Sequence, residues 1–179
     1  MNVAAATLVP VDAPGEREAA RALISEYLRY IRDTALALYG LSFDIEAMVR
    51  SDIDDRSKFY PPTGRFYLVQ HSDSYVGVGC IKRVAPAVGE IQRVYVQPRA
   101  RGIGAGRLVV EQLVGDARTL GYKTLRLESL KVLAAAHALY RSVGFVEIDP
   151  YFENSMKAYQ PEDRLEAYRA NAVFMELNL

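Results

Sequence analysis

The sequence predicts an α/β fold of the α+β type, a mixed but mostly antiparallel sheet of six to seven strands with helices packed against it. Three observations point there. Residues 66–70 and 75–82 are short alternating runs joined by His71-Ser72-Asp73-Ser74, the signature of an antiparallel hairpin. Between the strand at 88–96 and the strand at 124–128 lies a helical run that ends at Leu120, so a helix crosses between these two strands and the sheet should be mixed. Gly121 and Gly144 each close a helical apolar pattern just before a new strand.

Taken in order, residues 7–11 read as the first strand. Pro14-Gly15 breaks the chain, and 16–32 then carries Ala19, Leu23, Tyr27, Tyr30 and Ile31 at helical spacing. A second short helix is expected at 44–50. The hairpin and the strand 88–96 follow, and Pro98 ends that strand. Helix 108–120, strand 124–128, helix 132–143 and strand 145–148 come next. After Pro150 the pattern is less regular, with a short helix at 161–170 because proline favours the first helical turn, and 173–177 closes the sheet.

With 179 residues, half of them hydrophobic, the chain is long enough for one well-formed core and too short for two of ordinary size, so residues 1–179 are read as a single domain. Lys plus Arg equals Asp plus Glu at 22 each, which gives no overall field toward nucleic acid or an anionic membrane, and neither is expected as a partner. Cys80 is the only cysteine; it excludes an intramolecular disulfide and a cysteine zinc cluster. Placed in the apolar run 76–81, it reads as a buried thiol and not as a nucleophile. Pro10, Asp12 and Pro14 interrupt the first apolar stretch and no run reaches the length of a membrane span, so a soluble cytoplasmic protein is expected.

The most informative stretch is Arg99-Ala100-Arg101-Gly102-Ile103-Gly104-Ala105-Gly106, which follows the alternating Ile91, Val94 and Val96 and precedes a helical run. It reads as a strand, a glycine turn and a helix start. Glycine on every second position lets the backbone approach a ligand, and the first turn of a helix leaves N–H groups without intrahelical partners. Those donors suit a pyrophosphate. The helix dipole adds roughly 0.3 to 1 kcal/mol per anionic charge, and Arg99, Arg101 and Arg107 supply positive charge around it. A nucleotide-type cofactor is expected, with a purely structural turn as the competing reading. A triphosphate-binding loop is excluded, because Arg107 follows Gly106 where G-x-x-x-x-G-K-[ST] needs its lysine. A dinucleotide fold competes more closely, since Glu128 lies roughly 20 residues downstream, where an acid for ribose hydroxyls would stand. Against it, the third glycine is Gly106 where G-x-G-x-x-G asks for position 107, and one βαβ unit is visible.

Val96-x-Pro98-Arg99-Ala100-Arg101-Gly102-Ile103-Gly104-Ala105-Gly106, followed by Ala138-Leu139-Tyr140-Arg141-Ser142-Val143-Gly144-Phe145, resembles the GNAT superfamily of acyl-CoA-dependent N-acetyltransferases. Arg99, Gly102 and Gly104 match its R/Q-x-x-G-x-G/A loop, and Leu139, Tyr140, Gly144 and Phe145 match its L-Y-x-x-x-G-F signature. The resemblance is strongest over 66–148 and compatible elsewhere. It implies helices on both faces of the sheet and acetyl-CoA as co-substrate. Val94, Tyr95 and Val96 would pair strand-like with the pantetheine arm where two parallel strands splay, while Arg99, Arg101, Gly102, Ile103, Gly104, Ala105 and Gly106 surround the pyrophosphate. One departure is Leu133, where many members carry an asparagine.

An alkyl ammonium with a pKa of about 10 cannot attack a thioester until a proton is removed. The resemblance implies Glu90 as base, in Gly89-Glu90-Ile91-Gln92-Arg93-Val94-Tyr95-Val96, and strand alternation puts it on one face with Gln92 and Val94. A solvated strand-end carboxylate is the plainer alternative. The resemblance implies Glu128 as the second candidate, since some protein-acetylating members carry a base glutamate twelve positions before the residue matched by Tyr140, and the sequence does not order the two. The resemblance also implies that Tyr140 gives a proton to the departing thiolate; the need is modest, since a thiol has a pKa of about 8 to 9. Against this stands an ordinary aromatic on the core face of its helix. The Val94 N–H is the expected oxyanion donor. His137, with no serine or cysteine nucleophile near it, reads as a helix-surface histidine and His71 as a loop residue; no metal is expected.

The acceptor is expected from the side of the early helices and the late loop, among Tyr27, Tyr30, Tyr39, Phe59, Tyr60, Tyr151 and Phe152, several of them simply core. Tyr151 and Phe152, just after the sixth strand, are the expected pocket wall. The insert at 155–170 either caps that pocket or decorates the surface. The expected activity is acetyl transfer from acetyl-CoA to a primary amine on a small molecule or a protein, by direct attack in a ternary complex. The alternative is a non-catalytic acyl-CoA-binding regulatory module, and a homodimer is left open.

Overall fold

The computed structural model describes residues 5–151, 153 and 155–179. Its elements are β1 (Thr7–Pro10), α1 (Pro14–Tyr39), α2 (Ile45–Asp54), β2 (Arg65–His71), β3 (Ser74–Ala85), β4 (Val88–Val96), α3 (Ala105–Thr119), β5 (Thr124–Leu130), α4 (Ala134–Val143), β6 (Val146–Ile148), α5 (Glu162–Ala170) and β7 (Ala172–Asn178), with 3-10 turns at Pro98–Ala100 and Ser155–Ala158. Seven strands form one sheet in the order β1-β2-β3-β4-β5-β7-β6. Only β4 and β5 run parallel, so the sheet is mixed and mostly antiparallel as the sequence predicts. A doubly wound dinucleotide fold needs a largely parallel sheet and is excluded.

Two apolar layers cover the sheet. On one face Leu23, Ile24 and Leu28 of α1 and Met48 and Val49 of α2 pack with Phe66, Leu68, Val78 and Cys80. On the other, Val109, Val110 and Leu113 of α3 pack with Ile81, Leu125, Leu127 and Met175. Helix α1 runs seven residues past the expected end at 32, because no residue before Gly40 breaks the helix. Gly40, at φ 66°, then donates its N–H back to Leu36 at 3.1 Å, and Leu41 donates to Ala35 at 3.2 Å. Asp44 caps α2 by accepting the Ala47 N–H at 2.9 Å, and the helix continues to Asp54. His71 closes β2 and is not in the loop as expected. No described helix is long and apolar enough to cross a membrane.

Two irregularities open the sheet in its middle. Pairing of β4 with β5 covers only Val88↔Thr124, Gly89↔Leu125 and Glu90↔Arg126, after which β5 continues with β7 as far as Leu130↔Ala172. The two parallel strands therefore diverge beyond Glu90. At the same level the β3–β4 register slips between Cys80↔Gln92 and Val78↔Tyr95, and Arg93 adopts φ 56°. This is a β-bulge, which bends the strand and re-aims its side chains. The simple alternation expected for β4 fails there: Glu90 bonds Gln92, but Val94 packs with Ile91 in the layer under α3.

Candidate active site

A chain of three adjoining cavities follows the split between β4 and β5, each bordered by Tyr27 and Leu133. The outer one, about 330 Å³, lies between α1 and α4 and reaches Val94, Val96, Arg101 and Gly106. A neck of about 30 Å³ passes Leu127 and Tyr140. The inner cavity, about 70 Å³, is walled by Phe43, Met48, Met156 and Tyr168, and Gln92, Arg93, Glu128, Ser129 and Ser155 are among its polar residues.

At the outer end, Gly104 is the N-cap of α3 at φ 83°, with no side chain capping the helix, and its carbonyl accepts the first helical bond from Leu108 at 3.0 Å. Gly102 also has a positive φ, 82°, and a Cβ on either glycine would meet nothing within 4 Å. The turn is therefore open in front of the first-turn N–H groups, a cradle for an anion. The Arg101 N–H is turned back to Pro98 at 3.3 Å, so the donors available are those of the residues after it. Arg99 binds Gln97 at 3.1 Å, whereas Arg107 is held by Glu111 at 3.1 Å and Ser142 at 2.7 Å. Tyr95 stacks on Tyr27 at 5.3 Å and donates to Glu26 at 2.7 Å, which fixes the wall beside the turn. This cradle and the apolar outer cavity fit the diphosphate and pantetheine arm of a coenzyme A thioester. Residues 102–107 would hold the diphosphate and Val94, Val96 and Leu133 would border the arm.

Glu128 borders the inner cavity, and Glu90 lies close to Glu128 without lining the cavity. Glu90 is buried; its Oε1 accepts from Gln92 and lies 3.8 Å from Lys82 Nζ, and its Oε2 accepts from the Tyr151 hydroxyl at 3.3 Å. Glu128 uses Oε1 for the Ser155 N–H at 3.1 Å and the Ser155 hydroxyl. Its Oε2 is buried with no hydrogen-bond partner among the described residues, and so is Oε1 of Gln92. Burial, followed by the charge of Glu90, pushes the Glu128 carboxyl up to about 7 against the pull of Ser155 and Lys82. Tyr140 is buried in the neck, its ring 5.9 Å from Phe145 and its hydroxyl held well above the usual phenol range by burial.

Other expected residues fall elsewhere. Tyr151 stands against Glu90, with Arg126 5.0 Å above its ring, and Phe152 lies outside the described residues. Phe59 and Tyr60 are core. His137 is not on the helix surface as expected: one turn before Tyr140, it shares the inward side of α4, is buried, and meets Ser129 Oγ at 3.2 Å. Burial lowers its pKa, with Arg141 adding to the effect. The insert is part of the site, because Ser155 grips Glu128 while Met156 and Tyr168 close the inner cavity. Among the described residues no group of three or more His, Cys, Asp or Glu is placed to hold a metal ion.

Residues 19–145 match the model of the acetyltransferase (GNAT) family. The chain belongs to the GNAT acetyltransferase family. It is 33% identical over 130 residues to an IAA acetyltransferase of Azospirillum brasilense, covering 72% of this chain and 78% of that protein. With an uncharacterized N-acetyltransferase of Schizosaccharomyces pombe it shares 29% over 148 residues, 80% of this chain and 85% of the relative. The PaiA N-acetyltransferase of Thermoplasma acidophilum, solved in complex with coenzyme A, has the same fold. Its TM-score is 0.68 at 14% identity over 98% of this chain and 99% of that one. GNAT membership makes transfer of an acyl group from an acyl-CoA the coarse activity of this chain. Gln92 shares a face with Glu90 as expected; what sequence reasoning missed in this GNAT site is Arg93 and Ser155. Their roles arise from a bulge and an insert, which carry no periodic signal.

Proposed function

We propose that this chain transfers an acetyl group from acetyl-CoA to a primary amine by direct attack with both substrates bound. One observation carries the amine: Gln92 Oε1 and Glu128 Oε2 are buried acceptors without partners among the described residues, and both residues border the inner cavity. A buried unpaired acceptor costs about 1 to 3 kcal/mol, so two beside one cavity mark the place of a donor-rich ligand. An ammonium, with three N–H donors and a positive charge, satisfies both.

Acetyl-CoA supplies an acetyl thioester. Of the two carboxylates, Glu90 is engaged on both oxygens and Glu128 keeps one oxygen for the acceptor. Glu128, poised at about 7, takes the proton that frees the amine lone pair. Burial sets most of that pKa and the charge of Glu90 raises it further. The Val94 N–H, at the bulge beside the neck, polarises the thioester carbonyl, and the Tyr140 hydroxyl returns a proton to the sulfur.

A thiol-release assay with acetyl-CoA over a panel of amines tests the reading. Binding of acetyl-CoA without release for any amine would leave a non-catalytic acyl-CoA-binding module instead. Two variants probe the roles. Glu90→Gln removes a charge that raises Glu128, so the acid limb of kcat/KM moves to lower pH; a midpoint that stays near 7 would refute the coupling. Tyr140→Phe keeps the ring against Phe145 and lowers kcat by about 10- to 100-fold, because a thiolate leaves readily without full proton donation. Steady-state kinetics showing no change in kcat would remove Tyr140 from the chemistry.

A further inference from the structure

Arg93, a charge that the transfer step does not use, borders the inner cavity and pairs with a buried carboxylate. Asp52 of α2 is fully buried and meets two cations, Lys58 Nζ at 2.5 Å and Arg93 Nε at 2.5 Å. Asp52 thus shares its charge between two cations, and Lys58 also feels the carboxylate of Asp55. Lys58 spends its remaining donors on Ser51 Oγ at 3.1 Å and the Tyr159 hydroxyl at 3.4 Å. Arg93 donates from Nε and, at 3.4 Å, from Nη2, both to Asp52. Its remaining N–H groups have no partner among the described residues. An arginine carries five N–H donors in a planar fork, so the Nη1 side is left for something else.

Arg93 is also one of the least exposed cations of the chain, its side chain only 9% accessible. The bulge explains how it got there: the left-handed backbone at Arg93 turns a residue of the central strand toward α2 and the inner cavity. The cavity is thus polarised. Glu128 and the Gln92 carbonyl offer acceptors, Arg93 offers a charged donor, and no ion pair among the described residues joins Arg93 to either glutamate.

We infer that the acceptor is a small zwitterion of the amino acid class, its nitrogen placed between Gln92 and Glu128 and its carboxylate taken by the free Nη1 side of Arg93. A carboxylate satisfies the guanidinium fork with paired, charge-assisted N–H···O bonds. A plain alkylamine or a lysine side chain of a protein does not. The inner cavity, about 70 Å³, suits a small molecule more than a peptide segment. Arg93 is in this reading the specificity-determining residue, and the inference rests on the amine-transfer reading above.

The test measures acetyl-CoA-dependent thiol release with matched sets of acceptors: a panel of α-amino acids, their amides, and the amines that lack the carboxyl group. The expected result is kcat/KM at least about 30-fold higher for the acid than for its amide in the best set, the scale of one charge-assisted hydrogen-bonded pair. Arg93→Lys keeps a cation beside Asp52 and removes the fork, so the acid-to-amide ratio falls toward one through a rise in KM for the acid. Arg93→Gln lowers the ratio further, with thermal melting to confirm that it folds. Amides or plain amines used as well as acids would overturn the inference and leave amine transfer standing. An acid preference that Arg93→Lys does not change would overturn the assignment to Arg93. Release with no acceptor of any kind would overturn the transfer reading, and this inference with it.

Discussion

Replacing Glu128 with glutamine is expected to lower kcat/KM by about 10²- to 10³-fold at pH 8 and at the same time to make the protein more stable. The activity loss follows from removing the group that accepts the ammonium proton. The stability gain follows from the sign of its shift. Folding raises the Glu128 carboxyl from its ordinary 4.5 to about 7, so the folded chain holds that proton more tightly than the unfolded one. Stability from this group is fully present below about 4.5 and is lost as pH rises to about 7, beyond which the loss is constant. At about 1.4 kcal/mol per unit the ceiling is about 3 kcal/mol, and relaxation around the site brings the expected value to about 1 to 3 kcal/mol. Glutamine cannot ionise, and its carbonyl still accepts from Ser155. The variant should therefore melt a few degrees higher than the parent at pH 8, by about 2 to 4 °C per kcal/mol, and at the same temperature at pH 4. A variant destabilised at pH 8, or one whose activity keeps an acid limb near 7, would show that Glu128 is not the buried base.

That trade of stability for reactivity separates what was legible in the sequence from what was not. The glycine turn, the two helices closed by Gly121 and Gly144 and the hairpin at His71 are local signals, and each element appears within a few residues of its expected place. Local chemistry fixes them, through positive φ at glycine and alternation in strands. Glu90, Glu128 and Tyr140 were legible as candidates because they sit at fixed offsets from the two motifs. The pKa of Glu128 was not, since it depends on burial and on the charge of Glu90 on the neighbouring strand.

Arg93 shows the limit most sharply. Strict alternation places Arg93 opposite Gln92 and keeps Val94 with Glu90. The bulge instead sends Val94 under α3 and joins Arg93 to Asp52, 41 residues earlier. One inserted residue changes every assignment after it. His137 fails for a related reason. Its neighbours in sequence are small alanines, and only packing of α4 decides which side faces inward. Ser155 lies in an insert with no periodic pattern, so its grip on Glu128 is a tertiary contact with no sequence signal.

Gly104→Val should raise the dissociation constant for acetyl-CoA by about 30- to 100-fold in calorimetry, with a much smaller effect on kcat at saturation. Gly104 holds φ 83° at the head of α3, where a β-branched residue is strained by about 1 to 3 kcal/mol. Relief of that strain swings the peptide that precedes the first helical turn, and with it the N–H groups that face the opening. A Cβ there would touch no protein atom within 4 Å, so the new side chain would stand in the space a diphosphate needs, not in the core. Helix α3 itself remains anchored by Val109, Val110, Leu113 and Ala117, all buried against the sheet, and the fold should survive with a lower melting temperature. Gly104→Ala, with a smaller side chain and the same φ, should fall between the two. Equal affinities across all three proteins would mean that the turn grips no diphosphate, and the coenzyme would then have to be held through the outer cavity alone.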